Sequence, residues 1–237
     1  MSITVQTIVS EENVSSSPPP AKPRFRGRLH QIAFIVSIPA GLLLVAVAPS
    51  TSARLAAMVF SLSLIAMFGT SAAYHRLHWS AKARSRMKRL DHSMIYVLIA
   101  GTYTPVSLLV LHGVWSVAIL SIVWGGAAVG AALKFASVDR LMAAARHLNA
   151  VAGGLYIVLG WVAILTLPQI VRTLPWPGTL LLFLGGIFYT AGAFIFARGK
   201  PDPRPAVFGY HEIWHSMVIG GSACHYAVIL LAVLTLH

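Results

Sequence analysis

The sequence predicts an all-α integral membrane protein, a bundle of seven transmembrane helices, and three observations carry that expectation. Hydrophobic residues make up 57% of the 237-residue chain and charged residues only 10%, against about 25% charge in a soluble domain. The apolar residues gather into runs that reach or approach the ~20 residues needed to cross a hydrocarbon core about 30 Å thick. The basic residues sit in short segments between those runs, where membrane topology puts them.

Taken in order, residues 1 to about 23 hold Glu11, Glu12, three serines, Pro18-Pro19-Pro20 and Pro23, with almost no apolar periodicity. That composition predicts a disordered leader. It has no early apolar core or cleavage site of the secretory kind. Lys22, Arg24, Arg26 and Arg28 form a basic collar, so residues 1–28 are expected as a cytoplasmic leader and 29–237 as the membrane domain. The seven spans are placed near 30–49, 53–75, 91–111, 114–133, 147–166, 179–197 and 211–234. Pro39 and Pro105 fall inside spans one and three, where neighbouring helices can satisfy the freed carbonyls. Gly-Gly pairs at 125, 153, 185 and 220 mark spans four to seven as helices able to approach closely.

With the N-terminus inside, sixteen of the eighteen Lys and Arg residues lie on the cytoplasmic side, leaving Arg54 and Arg172 outside. This asymmetry predicts a cytoplasmic N-terminus, an external C-terminus and a multi-pass protein of the cell (inner or plasma) membrane. The net charge of +12 does not point to nucleic acid, because no basic face is interleaved with aromatics. Cys224, the single cysteine, cannot form an internal disulfide and is expected as a small buried packing residue.

The same topology sets a depth for each ionisable side chain. His75 closes span two, Asp91 and His92 open span three, and His211, Glu212 and His215 open span seven, all at the cytoplasmic end. Ionisable groups in hydrocarbon are costly unless paired or coordinated, so this shared level points to one site. His211 and His215 are four apart on one helix face and suit two ligands of one metal ion, with His75 as a third and a water as the fourth. Nitrogen ligands favour zinc over magnesium or calcium. Asp91 stands ready to deprotonate that water, and Ser71, one turn deeper than His75, to orient the imidazole or a substrate. The alternatives are interfacial histidines hydrogen-bonded to headgroups, and a Ser71 hydroxyl bonded back to the carbonyl of Met67.

Other candidates carry less. His225 lies ~21 Å along the helix from His211, too far for the same ion, and is expected as a buried hydrogen-bonded histidine. His30, His78 and Trp79 look interfacial; His92 makes a neighbouring contact; His112 and His237 have no evident partners. Gly101-Thr102-Tyr103-Thr104-Pro105 is a polar mid-membrane segment, either a cavity wall or a packed kink. The stretch His211-Glu212-Ile213-Trp214-His215 fits the H-E-x-x-H protease pattern. Yet Val218 and Gly221 occupy the positions where a metzincin has glycine and histidine, and no carboxylate follows Glu212. Glu212 is instead expected to cap the first turn, favoured by the helix dipole.

Together, Ser71-Ala72-Ala73-Tyr74-His75-Arg76-Leu77, Leu90-Asp91-His92-Ser93, Ala100-Gly101-Thr102-Tyr103-Thr104-Pro105 and His211-Glu212-Ile213-Trp214-His215 resemble the hemolysin III family. That family is the bacterial branch of the progestin and adipoQ receptor superfamily, related to alkaline ceramidases. The resemblance runs from about residue 25 to the end. It implies a zinc ion held by His75, His211 and His215 near the cytoplasmic face, with Asp91 and Ser71 close by. It further implies hydrolysis of a lipid amide or ester, with membrane lipids as environment and substrate. The rival expectation is a non-enzymatic membrane protein, a cytolysin or a ligand-responsive receptor, whose zinc is structural.

Overall fold

The computed structural model describes residues 23–136, 151 and 153–236. The expectations for the leader up to residue 22, for Arg140 and Arg146, for the start of the fifth span at 147–150 and for His237 fall outside these residues. Those described are all-helical, and seven helices are long and apolar enough to cross a membrane. They are α1 (Arg28–Ala46), α2 (Thr51–Arg76), α3 (Ala81–Val110), α4 (Val114–Phe135), α5 (Gly153–Thr173), α6 (Trp176–Arg198) and α7 (Tyr210–Thr235).

The surface of this bundle is apolar, the reverse of a soluble protein. Ile32, Leu42, Leu62, Val117 and Val158 stand exposed on the outside, while Ser61, Ser63, Thr102 and Thr104 are buried. Inside, hydroxyls return to helix carbonyls: Ser63 to Phe60, Thr102 to Leu98 and Thr104 to Ala100, at 2.7–2.9 Å. Each hydroxyl is thereby satisfied without water.

Local sequence sets the helix ends. The Ser50 hydroxyl accepts from the Ala53 N–H at 3.2 Å and caps α2, as serine does at such positions. Helix α3 starts at Ala81, ten residues before the expected span, because Ser80 caps it outside the apolar run. Past Pro105 it widens into one π turn, the Leu111 N–H reaching the Val106 carbonyl. Proline has no N–H to give the preceding turn, which loosens the ladder there. The fifth span extends past its expected end at 166, to Thr173. A tight 3-10 stretch, Val162–Thr166, interrupts it, and Leu167–Thr173 resumes it with Pro168 in its first turn, where the missing N–H costs nothing.

Helices α1 to α4 pack serially against their neighbours, and α7 packs on α6 while also touching α1, α2 and α3. Glycines make the α6–α7 contact close. A Cβ at Gly185 would lie 2.4 Å from the His225 ring, and one at Gly192 would lie 2.7 Å from Trp214. The expected packing role thus holds for Gly185, while Gly153 and Gly154 meet nothing within 4 Å and instead face a cavity. With α7 central, its first two turns come to lie beside the end of α2 and the start of α1.

Candidate metal centre

Three of the predicted residues converge. His75 from the last turn of α2 and His211 and His215 from the first turns of α7 each bring one ring nitrogen within 4.8 Å of the others. The Nε2 atoms of His75 and His211 are 3.2 Å apart. Two nitrogens bound tetrahedrally at 2.0–2.1 Å would be about 3.3 Å apart, so the donor set fits a metal ion. His75 and His215 are buried and His211 is half-buried.

Asp91 and Ser71 join the cluster. The Asp91 carboxyl, from α3, lies beside the Ser71 hydroxyl, and both line the same cavity as the three histidines. The bond back to Met67 is not the one Ser71 makes. Its Oγ lies 2.8 Å from Nδ1 of His30.

His30 is the correction the structure makes to the sequence reading. It was expected at the interface, but it is 3% exposed. Its ring stacks on His215 with centroids 3.8 Å apart and planes 11° from parallel, and it makes a T-shaped contact with the Phe68 ring, centroids 5.1 Å apart. It therefore wedges α1 between Ser71 and a metal-type ligand. The available signal was its i, i+4 distance from the arginine collar, which did not reveal that α1 packs against both α2 and α7.

Glu212 behaves as a helix-start residue and does more. Its Oε2 accepts from the Gly209 N–H at 2.9 Å, closing the first turn of α7. Its Oε1 takes a hydrogen bond from Arg26 Nε at 2.6 Å, and the Glu212 side chain is fully buried. This ion pair ties the segment before α1 to α7. The same segment is held by the Arg24 and Phe25 N–H groups, which bond the carbonyls of Ala206 and Val207. Gly27 then turns the chain with φ +79°, and a Cβ there would lie 2.5 Å from the Cβ of His75. Only glycine combines that left-handed backbone with so close an approach.

The remaining predicted residues separate from the cluster. His225 is buried deeper on α7, with Nε2 3.2 Å from the Leu182 carbonyl, as expected of a hydrogen-bonded core histidine. Cys224 is half-buried rather than buried. The 101–105 segment serves both expected roles: Thr102 and Tyr103 line the cavity, while Pro105 sits at the π turn. The cavity has a volume of about 1250 Å³ and runs from the histidine cluster along α3 and α7 to His225. It exceeds the 300–1,000 Å³ usual for drug-sized ligands.

Known proteins resemble the chain over most of its length. A family model described as "Haemolysin-III related" matches residues 20–226. The chain is 34% identical over 204 residues to a "Hemolysin-3 homolog" of Bacillus subtilis (strain 168), covering 85% of this chain and 89% of the relative. It is 36% identical over 208 residues to "Hemolysin-3" of Bacillus cereus, covering 86% and 89%.

Proposed function

Because the chain belongs to the hemolysin III family, we propose that it is a zinc-dependent intramembrane hydrolase of lipid amide or ester bonds, of ceramidase type. One observation carries the reading. Three histidine nitrogens converge at a large cavity that Asp91 and Ser71 also line, beside apolar residues such as Met67, Ile95 and Ile99. A structural site would be closed, whereas a catalytic one keeps a position open toward its substrate.

His75, His211 and His215 would hold the ion, and zinc suits an all-nitrogen donor set. When bound, zinc supplies Lewis acidity for the substrate carbonyl and acidifies water. Asp91 holds the attacking water and takes its proton as the water oxygen bonds to the acyl carbon. It then returns that proton to the leaving nitrogen or oxygen as the acyl bond breaks, giving a fatty acid and an amine or alcohol. Ser71 hydrogen-bonds beside Asp91 and fixes its direction, with His30 holding the serine in turn. The apolar wall keeps bulk water out and aligns the acyl chain with the reacting group.

The site belongs near the cytoplasmic face of the cell membrane, with the N-terminus inside, on the strength of the basic residues that flank it. The leader would end before the segment that Arg24, Phe25 and Arg26 tie to the bundle, and surrounding lipids would be the substrate pool. This is also the arrangement that the resemblance to the progestin and adipoQ receptor superfamily implies.

Fatty-acid release from a ceramide-like panel tests the reading, with Asp91→Asn as the control. Release by the wild type that falls about 10²–10⁴-fold in the variant is expected; equal release by both removes Asp91 from the mechanism. The second reading is a non-enzymatic cytolysin or receptor with structural zinc, favoured by the relatives' printed names. It predicts zinc without release of fatty acid by any variant, and lysis of red cells by purified protein.

A further inference from the structure

The cavity narrows at its inner end. Thr102 and Tyr103 of α3, Gly160 and Trp161 of α5, Gly186 of α6 and His225 of α7 line both the main cavity and a second void of about 40 Å³. That void holds little more than the volume of one water molecule, and Val106, Ile170 and Phe183 are among its other walls. These six residues therefore form a ring that separates a large space from one too small for more than a stub of hydrocarbon.

Each side chain of the ring is tied down. The Tyr103 hydroxyl donates to the Gly160 carbonyl and accepts from the Ala163 N–H, both at 2.9 Å. Those two backbone groups flank the point where α5 tightens into its 3-10 stretch, so Tyr103 staples α3 to that turn. The Trp161 indole N–H donates to the Thr190 hydroxyl of α6 at 3.0 Å. Thr102 bonds back to Leu98, and His225 holds the Leu182 carbonyl. Such bonds resist displacement, because breaking one strands a polar group away from water. The two glycines leave gaps between these fixed groups. A Cβ at Gly186 would lie 3.5 Å from the Trp161 ring, and one at Gly160 would meet nothing within 4 Å.

We propose that this ring is a ruler for acyl chains, with Trp161 setting the longest chain that the cavity takes. This deepens the hydrolase reading and rests on it for the anchoring of the acyl carbonyl at the histidine cluster. His225 lies ten residues after His215 on α7 and Thr102 eleven after Asp91 on α3, so both helices put the ring about 15–16 Å from the cluster. Half of the hydrocarbon core is also about 15 Å. A chain that fills one leaflet thus reaches the ring. Lipid tails are as apolar as the cavity wall, so methylenes short of the ring add little affinity. A longer chain must fold back or press on tied side chains, and either weakens its binding.

The test uses full-length protein in phosphatidylcholine nanodiscs, carrying Asp91→Asn to stop turnover. Tritiated N-lauroyl aminoethanol is the probe, and unlabelled lauroyl, palmitoyl and docosanoyl amides at equal mole fraction of the bilayer compete for it. Without further change, lauroyl and palmitoyl should compete equally and docosanoyl about tenfold less well, the scale of an overfilled core. Trp161→Ala opens the ring toward the void, so docosanoyl should recover to within about threefold of palmitoyl. Trp161→Phe keeps a plug and should keep the limit. Gly160→Leu fills the gap in the ring and should move the limit the other way, weakening palmitoyl about tenfold against lauroyl. Lauroyl binding in each variant shows that the cavity is intact. The same length profile in all of these proteins, or docosanoyl competing as well as palmitoyl before any ring substitution, would overturn the ruler. A length limit without fatty-acid release by the wild type counts against the hydrolase reading alone, and release without a length limit counts against this inference alone.

Discussion

Helix α7 carries two histidine stations that differ in how their nitrogens are spent. At its start, His211 and His215 turn ring nitrogens toward His75, gathering three ring nitrogens around one point. Ten residues deeper, His225 gives its Nε2 to the Leu182 carbonyl of α6, in a niche opened by Gly185. Both stations are enclosed by the same bundle, and both border the same cavity. Burial alone therefore does not make a histidine a ligand. What differs is the neighbour: a carbonyl takes the ring nitrogen at one station, and ring nitrogens of three histidines face one another at the other.

The comparison can be broken from the side of His75. Gly27→Ala puts a Cβ against that histidine and requires a strained left-handed backbone, so the α2 ligand should shift. Metal affinity is expected to fall about 100-fold, the upper range for displaced supporting groups, measured by competition with a chelating dye. Unchanged affinity would show that the segment before α1 does not set the ligand.

Arg26 and Glu212 sharpen it through α7. Arg26→Ala strands a fully buried carboxylate and should cost about 3–5 kcal/mol. Glu212→Gln strands a guanidinium that already reaches solvent, at 21% side-chain exposure, and should cost less, about 1–3 kcal/mol. Thermal unfolding in detergent gives the order; a larger loss in Glu212→Gln contradicts the account.

His30 offers a smaller change. His30→Phe keeps the stack on His215 and removes the bond to Ser71, so metal affinity should drop about tenfold while the melting temperature barely moves. Rescue by His30→Gln, which can still reach the Ser71 hydroxyl, would confirm that the hydrogen bond is what counts. A phenylalanine variant with wild-type affinity removes His30 from the site.

Much of this was legible in the chain. Apolar run lengths marked seven spans, and the basic asymmetry fixed which ends of them share a level. That shared level brought His75, Asp91 and the His211–His215 pair together on paper, because spacing along a helix and depth in a membrane are both read by counting. Lateral packing is not countable in this way. His30 and Arg26 lie within a turn or so of each other near the start of α1, and nothing local separates them from ordinary interfacial residues. Their partners are Ser71, His215 and Glu212, up to 186 residues away. The fifth span continues past its expected end at 166 because Pro168, in the first turn of a resumed helix, is compatible with continuing.

The most direct test of the central claim is metal content, counted per chain in the purified full-length protein and in four single variants. One zinc per wild-type chain is expected, lost in His75→Ala, His211→Ala and His215→Ala and retained in His225→Ala. Stoichiometric zinc in the first three, or its loss in His225→Ala alone, would contradict the distinction between the two stations.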